Sequence, residues 1–180
     1  MQTFIPLKDF VANPRFAEQR AQALAGLNSG VIDPPLRSLA QDINQLSYCF
    51  TLQSCYGHFV HRANQDQYNL APLPNQDPGG PILYRLAYLT LCLQENQDGR
   101  GLLLALVDLG RLDPEYIQVG CAQWFWDHQV NTFVIQVEPE QRKDQDTADV
   151  SFQQAKHLEQ VKGLVFKRLR RIVKDRLGAD

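Results

Sequence analysis

The stretch that decides the fold is Ser47–His61, SYCFTLQSCYGHFVH, where cysteines, histidines and tyrosines are set into a run of strand-forming residues. β-Branched and aromatic residues favour strands, whereas a glycine in such a run favours a turn. We therefore predict two short strands that meet at a turn, Ser54–His58. The same turn carries the polarisable side chains, so it is also the first place to look for chemistry.

Outward from this stretch, helix-like and strand-like segments alternate. Asp33 and Pro34 open an amphipathic helix that runs to about Leu46. The apolar run 82–93 predicts a buried central strand, and Asp98 is expected to cap a helix that ends at Gly110. Further elements are a polar loop at 62–80, strands at 115–122 and 131–138, a hairpin connection at 123–130, and an acidic link at 138–149.

The chain closes with a long amphipathic segment at 151–177. Its apolar stripe, which we expect to be buried, consists of Leu158, Val161, Val165, Leu169 and Ile172. The pattern predicts a single α+β domain: a mostly antiparallel mixed sheet, helices packed on it, and this C-terminal helix. The core is expected to span residues 1–145.

Composition limits the class of protein. The chain has 180 residues and four cysteines, with no secretory signal and no apolar run long enough to cross a membrane. This favours a cytoplasmic protein with reduced thiols and no membrane partner. Residues 151–180 hold eight Lys or Arg against three acidic residues. Such a basic helix predicts either contact with a polyanion or merely a solvated face.

The spacing Cys55-x-x-His58-x-x-His61 resembles that of metal ligands. On a strand, however, residues three apart face opposite sides, and the fourth ligand would have to come from Cys121 or His128. We therefore expect no metal. A Cys–His nucleophile pair and ordinary buried packing both remain open.

The run from Phe16 to Phe59 resembles the N-terminal signature of the tRNA wybutosine-synthesizing protein 3 family. In that family a turn and a helix ending in Ile-Asn lead into a strand with a Ser-Cys-Ser-Gly-Arg motif. The matching residues here are Val31, Asp33, Ile43, Asn44, Thr51, Ser54, Cys55 and Gly57. Beyond Phe59 the similarity lies in the order of elements, as far as about residue 138.

This resemblance implies methyl transfer from S-adenosylmethionine to a tricyclic guanosine in phenylalanine tRNA. It places Ser54, Cys55 and His58 at the reacting centre under the 62–80 loop. Binding positions would be Asp33, Asn44, Thr51 and Gly57, with Arg168 and Arg171 of the basic helix contacting tRNA.

Departures from the motif support a second hypothesis. Gln53 and Tyr56 replace serines, and His58 replaces an arginine, so that a neutral imidazole with one donor stands in for a guanidinium. No Gly-rich nucleotide-binding turn is present to support methyl transfer independently. The alternative is a non-catalytic ligand- or RNA-binding protein that kept the fold without the chemistry.

Consecutive aromatic residues at Trp124–Trp126 raise a last possibility. On a hairpin their side chains point to both faces, so at least one is expected to be exposed. An exposed ring could stack on a base or anchor a homodimer, while core packing accounts for the others.

Overall fold

A computed structural model describes residues 4–178. The strands are β1 (Phe4–Ile5), β2 (Cys49–Val60), β3 (Ile82–Leu93), β4 (Ile117–Ala122), β5 (Thr132–Val137) and β6 (Thr147–Val150). The helices are α1 (Phe16–Ala25), α2 (Arg37–Gln45), α3 (Gln97–Gly110), α4 (Gln123–His128) and α5 (Phe152–Leu177). Short 3₁₀ turns lie at Ser29–Val31, Pro34–Leu36 and Glu140–Arg142.

All strand pairs in the described sheet are antiparallel. The order is β1-β4-β5-β3-β2, and β6 pairs with the first part of β3, beyond the end of β5. This confirms the predicted α+β class and the central place of the 82–93 strand. The acidic link was predicted wrongly in part, because Thr147–Val150 forms β6 against Ile82–Arg85.

Helices α2, α3 and α5 pack on one face of the sheet, here called the inner face. Helix α5 begins with a capping box between Ser151 and Gln154, a device that satisfies two free N–H groups at a helix start. Of its predicted stripe, Leu158, Val161, Val165 and Leu169 are buried, while Ile172 is only partly covered. Within residues 4–178, none of the helices combines the length and apolar character that a bilayer crossing requires.

Two connections differ from the predictions. Residues 123–128 form the short helix α4 instead of a hairpin loop, although β4 and β5 do pair as expected. Helix α3 is capped by the Asn96 side chain, which accepts from the Gly99 N–H, so Asp98 lies inside the first turn. The sequence could not distinguish Asp98 from Asn96, because Asp and Asn are about equally good caps and the two residues are two positions apart.

Strand β2 is the largest departure from the sequence-based prediction. It runs without a break from Cys49 to Val60 beside β3, whereas two short strands and a turn had been expected. Gly57, the residue that suggested the turn, does have a left-handed φ of 83° but stays within the ladder. The glycine therefore bends the strand locally and does not end it.

Candidate functional site

Gly57 sets the direction of the side chains around it. A Cβ at this position would lie 2.8 Å from that of Ala87 and 3.0 Å from the Tyr84 hydroxyl, so only glycine fits without a shift. Tyr56 and Phe59, three positions apart, both face the Lys162 ammonium of α5. The strict alternation of a strand is lost here, and the expectation that Cys55 and His58 face opposite sides was wrong.

Cys55 and His58 instead converge with Asp33. One ligand atom from each of the three side chains lies within 4.8 Å of the others. Asp33 reaches the cluster from the turn before α2: its Oδ2 accepts from the Tyr56 N–H at 2.7 Å and lies 3.2 Å from His58 Nε2. The Cys55 thiol accepts from the Gly57 N–H at 3.4 Å. Backbone donors thus hold the carboxylate and the sulfur in place.

The Asp33–His58 pair is charged at neutral pH. Hydrogen bonds to Asp33 and Cys55 outweigh burial and raise the pKa of His58 to about 10. Burial pushes the pKa of Asp33 upward, but the bonds from His58 and the Tyr56 N–H are stronger together and hold it below its ordinary value. The sequence-based picture of a neutral His58 was therefore wrong, since its imidazole is held in the charged form beside Asp33.

Lys162 is a buried cation that the sequence reading missed. Its ammonium contacts Glu159 at 2.7 Å, donates to the Gly57 carbonyl at 3.2 Å, and lies over the rings of Tyr56 and Phe59. Burial lowers its pKa, against the opposing effect of Glu159. The signal was present in the sequence: Lys162 falls four residues after Leu158, inside the apolar stripe.

The other predicted site residues lie apart from this cluster. Ser54 pairs with the buried Leu89, so it belongs to the inner face and points away from Cys55 and His58. Three hydrogen bonds join Asn44 and Thr51. The Asn44 Oδ1 accepts from the Thr51 N–H at 2.9 Å and from its hydroxyl at 3.3 Å, and the Asn44 amide donates to that hydroxyl at 3.0 Å. These bonds tie α2 to β2 where the strand carries a bulge.

Arg168 and Arg171 are exposed on the solvent face of α5. Arg171 lies 3.8 Å from Asp175, so part of the helix charge is paired. Both arginines belong to a helix on the inner side of the sheet. They can contact a partner only from that side.

A pocket of about 370 Å³ opens on the other face of the sheet, here called the outer face. Residues of β2, β3 and β5 line it from the sheet, and α4 and the segment before β6 complete the lining. The lining includes Gln53, Arg85, Tyr88, Thr90, Trp124 and Lys143. Trp124 stands at the rim with 61% of its surface exposed, which meets the expectation that one of the consecutive aromatic residues is free.

Two buried polar groups distinguish this outer-face pocket from an ordinary surface depression. The Thr90 hydroxyl is buried and has no hydrogen-bond partner within residues 4–178. Native structures rarely leave such a group unsatisfied unless something else binds it. Glu138 is not part of the lining but accepts a hydrogen bond from the lining residue Gln136. Burial and the nearby Asp144 and Asp146 raise the pKa of Glu138 to about 9, so its carboxyl stays protonated at neutral pH.

Arg85 joins the outer-face pocket to the Asp33–Cys55–His58 cluster. Its guanidinium lines the pocket and interacts with the Cys55 thiol, while the ring of Tyr68 covers it at 4.7 Å. Tyr68 belongs to the 62–80 loop, which thus lies over this part of the sheet. Sequence could not reveal the pocket, since its residues come from five separate segments.

Comparisons with known proteins add little beyond the geometry. No model of a known protein family matches the chain, and no curated protein does. Two solved structures of the PH1069 protein from Pyrococcus horikoshii share 14% identity and cover 89% of this chain. The matches span 94% and 89% of those chains, with TM-scores of 0.47 and 0.42. At this level of similarity they carry no inference about function.

Proposed function

We propose that this protein is a divergent tRNA-modifying methyltransferase of the wybutosine-synthesis type, with S-adenosylmethionine as cofactor in the outer-face pocket. The proposal is carried by one observation: aromatic rings and cationic side chains line the same pocket, and this pocket lies beside the Asp33–Cys55–His58 cluster. The resemblance of residues 16–59 to that family supplies the reaction type.

The pocket suits the cofactor chemically. The rings of Tyr88 and Trp124 offer stacking surfaces for an adenine, and the cations Arg85 and Lys143 suit a carboxylate. The free Thr90 hydroxyl can bond a ribose or a ring nitrogen. A volume of about 370 Å³ lies in the range of small-molecule sites. When bound, S-adenosylmethionine supplies an electrophilic methyl group.

The residues of the cluster have distinct roles in this proposal. His58 carries a positive charge and is held by Asp33, so it serves as a fixed cation and donor near an anionic group of the RNA. It is not a general base, because its pKa lies well above neutrality. Arg85 has a positioning role between Cys55 and the pocket.

A second candidate function is RNA binding without chemistry. It is favoured by the exposed cations Lys167, Arg168 and Lys174 on α5. Because α5 lies on the inner side, such a contact is separate from the outer-face pocket. The two functions can therefore be tested by variants in different parts of the molecule.

The experiment is calorimetric titration with S-adenosylmethionine and, separately, with bulk tRNA. Replacing Trp124 by Ala should weaken cofactor binding about 5- to 150-fold, the loss expected from one stacking ring of ~1–3 kcal/mol. Arg85→Gln should weaken it as well. Ser54→Ala is the matched control on the opposite face and should leave cofactor binding unchanged.

The outcomes separate the two candidates. Salt-sensitive tRNA binding that weakens in Arg168→Gln, without any cofactor binding, would leave the RNA-binding function and refute the methyltransferase. Cofactor binding that Trp124→Ala and Arg85→Gln leave intact would refute the pocket as its site.

A further inference from the structure

We propose that Asp33, Cys55 and His58 together bind one Zn²⁺ ion and leave a fourth coordination position open. This inference rests on the cluster alone and does not require methyl transfer. With zinc bound, the ion replaces the proton on His58 Nε2, so the positive charge assigned above to His58 belongs to the ion. It also reverses the expectation of no metal, which depended on side-chain alternation that Gly57 abolishes.

The distances are close to those of a tetrahedral zinc site. Bonds of ~2.0–2.3 Å at tetrahedral angles place ligand atoms roughly 3.3–3.6 Å apart. Asp33 Oδ2 and His58 Nε2 are 3.2 Å apart, and the three ligand atoms all lie within 4.8 Å of one another. The spacing of Asp33 and His58 therefore fits a tetrahedral site, and the Cys55 sulfur lies near enough to be the third ligand.

The donor types favour zinc over harder cations. A thiol, an imidazole and one carboxylate form a mixed S, N, O set, which suits Zn²⁺ and is poor for Mg²⁺ or Ca²⁺. Three protein ligands are also the number found in catalytic zinc sites, where water or substrate takes the fourth position. The proposed site is therefore of the open kind.

The surroundings hold the ligands as metal sites usually do. The Gly57 N–H donates to the Cys55 sulfur, and the Tyr56 N–H donates to Asp33, so both are oriented from outside the cluster. His58 is 4% exposed and presents Nε2 to the cluster, beside Asp33. Its Nδ1 is buried with no hydrogen-bond partner within the described part of the chain, so backbone donors orient two of the three ligands.

Nearby charge does not prevent binding. Lys162 is a cation on the inner side that interacts with Asp33 and Cys55, and Glu159 at 2.7 Å neutralises it. Arg85 remains beside Cys55 and offsets part of the negative charge that a thiolate and a carboxylate bring to the site. One zinc ion with these two anionic ligands is neutral as a unit.

The test is titration of the chelator-treated full chain with Zn²⁺ and with Co²⁺. We expect one site per chain, and for Co²⁺ a near-ultraviolet thiolate band with the strong visible bands of tetrahedral geometry. Cys55→Ser should abolish the thiolate band, and Asp33→Asn should weaken Zn²⁺ binding at least about tenfold. Cys121→Ser and His61→Gln are matched controls and should bind as the unchanged protein does.

X-ray absorption of the zinc-loaded unchanged protein decides the matter even where a variant fails to fold. One sulfur and two nitrogen or oxygen ligands from the protein are expected, with a further light ligand in the open position. No binding, a zinc shell without sulfur or with more than one sulfur, or a thiolate band that persists in Cys55→Ser would overturn the proposal.

Discussion

The inner face of the sheet is packed against three helices, whereas the outer face borders a pocket and is only partly covered. Buried strand residues on the inner face are apolar, such as Leu89, Leu91 and Val137. Buried polar residues of β3, β4 and β5 lie instead on the outer face: Thr90, Gln118 and Gln136. Glu138 follows directly after β5.

The two faces therefore have different roles: the inner face stabilises the fold, and the outer face is where we place function. Apolar burial on the inner face contributes about 25 cal/mol for each Å² removed from water. On the outer face a protonated carboxyl and an unpartnered hydroxyl cost stability, so their presence there needs another reason, and a bound ligand supplies one. Strand β2 contributes to both faces, since Gly57 brings Cys55 and His58 together on one side and Tyr56 and Phe59 together on the other.

The largest expected effect is on the inner face. Leu158→Ala removes a fully buried side chain of α5 and should lower the free energy of unfolding by about 2–5 kcal/mol. Leu164→Ala, on the same helix but 40% exposed, should change it by no more than about 0.5 kcal/mol. Chemical denaturation measures both, and equal losses would mean that α5 is not packed as described.

The next largest effect is expected for Gly57→Ala, which should lower the free energy of unfolding by about 2–4 kcal/mol. The left-handed φ costs ~1–2 kcal/mol for a residue with a side chain, and the contacts with Ala87 and Tyr84 add to this. Gly79 has nearly the same φ, 80°, but open space around it. Gly79→Ala should therefore lose only the backbone part. A Gly57 variant no worse than its Gly79 counterpart would contradict the close packing at Gly57.

Glu138→Gln should stabilise the protein at pH 6 by on the order of 2 kcal/mol, and by more as the pH rises towards 9. With a pKa of about 9 when folded and 4.5 when unfolded, Glu138 gives up its proton first in the unfolded chain, so stability falls as pH rises between these values. Below about pH 4.5 the substitution should matter little. Thermal melts across this range test it, with the exposed Glu140→Gln as control. A pH-independent effect would show that the carboxyl is ionised when folded.

The smallest effect concerns Thr90. Thr90→Val removes the unpartnered hydroxyl and should raise stability by about 1 kcal/mol while weakening cofactor binding. Thr132 is equally buried, but its hydroxyl donates to the Gln129 carbonyl at 2.7 Å, so Thr132→Val should lower stability by a similar amount. Denaturation paired with calorimetry checks this. If Thr90→Val is destabilising, the hydroxyl already has a partner in the protein.

Elements with a clear period could be predicted from the sequence. The stripe of α5 and the apolar run of β3 extend over enough residues for local pattern to reflect tertiary burial. Strand β6 was missed because it is four residues long and acidic at Asp149, so only its pairing with β3 makes it a strand.

The candidate site depended on contacts that local pattern does not encode. Asp33 and Cys55 were selected by family resemblance, but the cluster that they form with His58 depends on a local bend of β2 at Gly57. From the sequence, this glycine is equally consistent with a turn between two strands. Ser54, selected in the same way, lies on the opposite face. The outer-face pocket arises from packing between distant segments, where one sequence offers no distance information. Lys162, by contrast, could have been found from its place inside the apolar stripe of α5.

The most direct test of the central claim, that the outer-face pocket is the ligand site, is amide NMR during titration with S-adenosylmethionine. We expect shifts to concentrate at Gln53, Arg85, Tyr88 and Thr90, together with the indole N–H of Trp124, while inner-face residues such as Val165 stay unchanged. Absence of shifts at saturating cofactor, or shifts centred on another part of the molecule, would contradict the account.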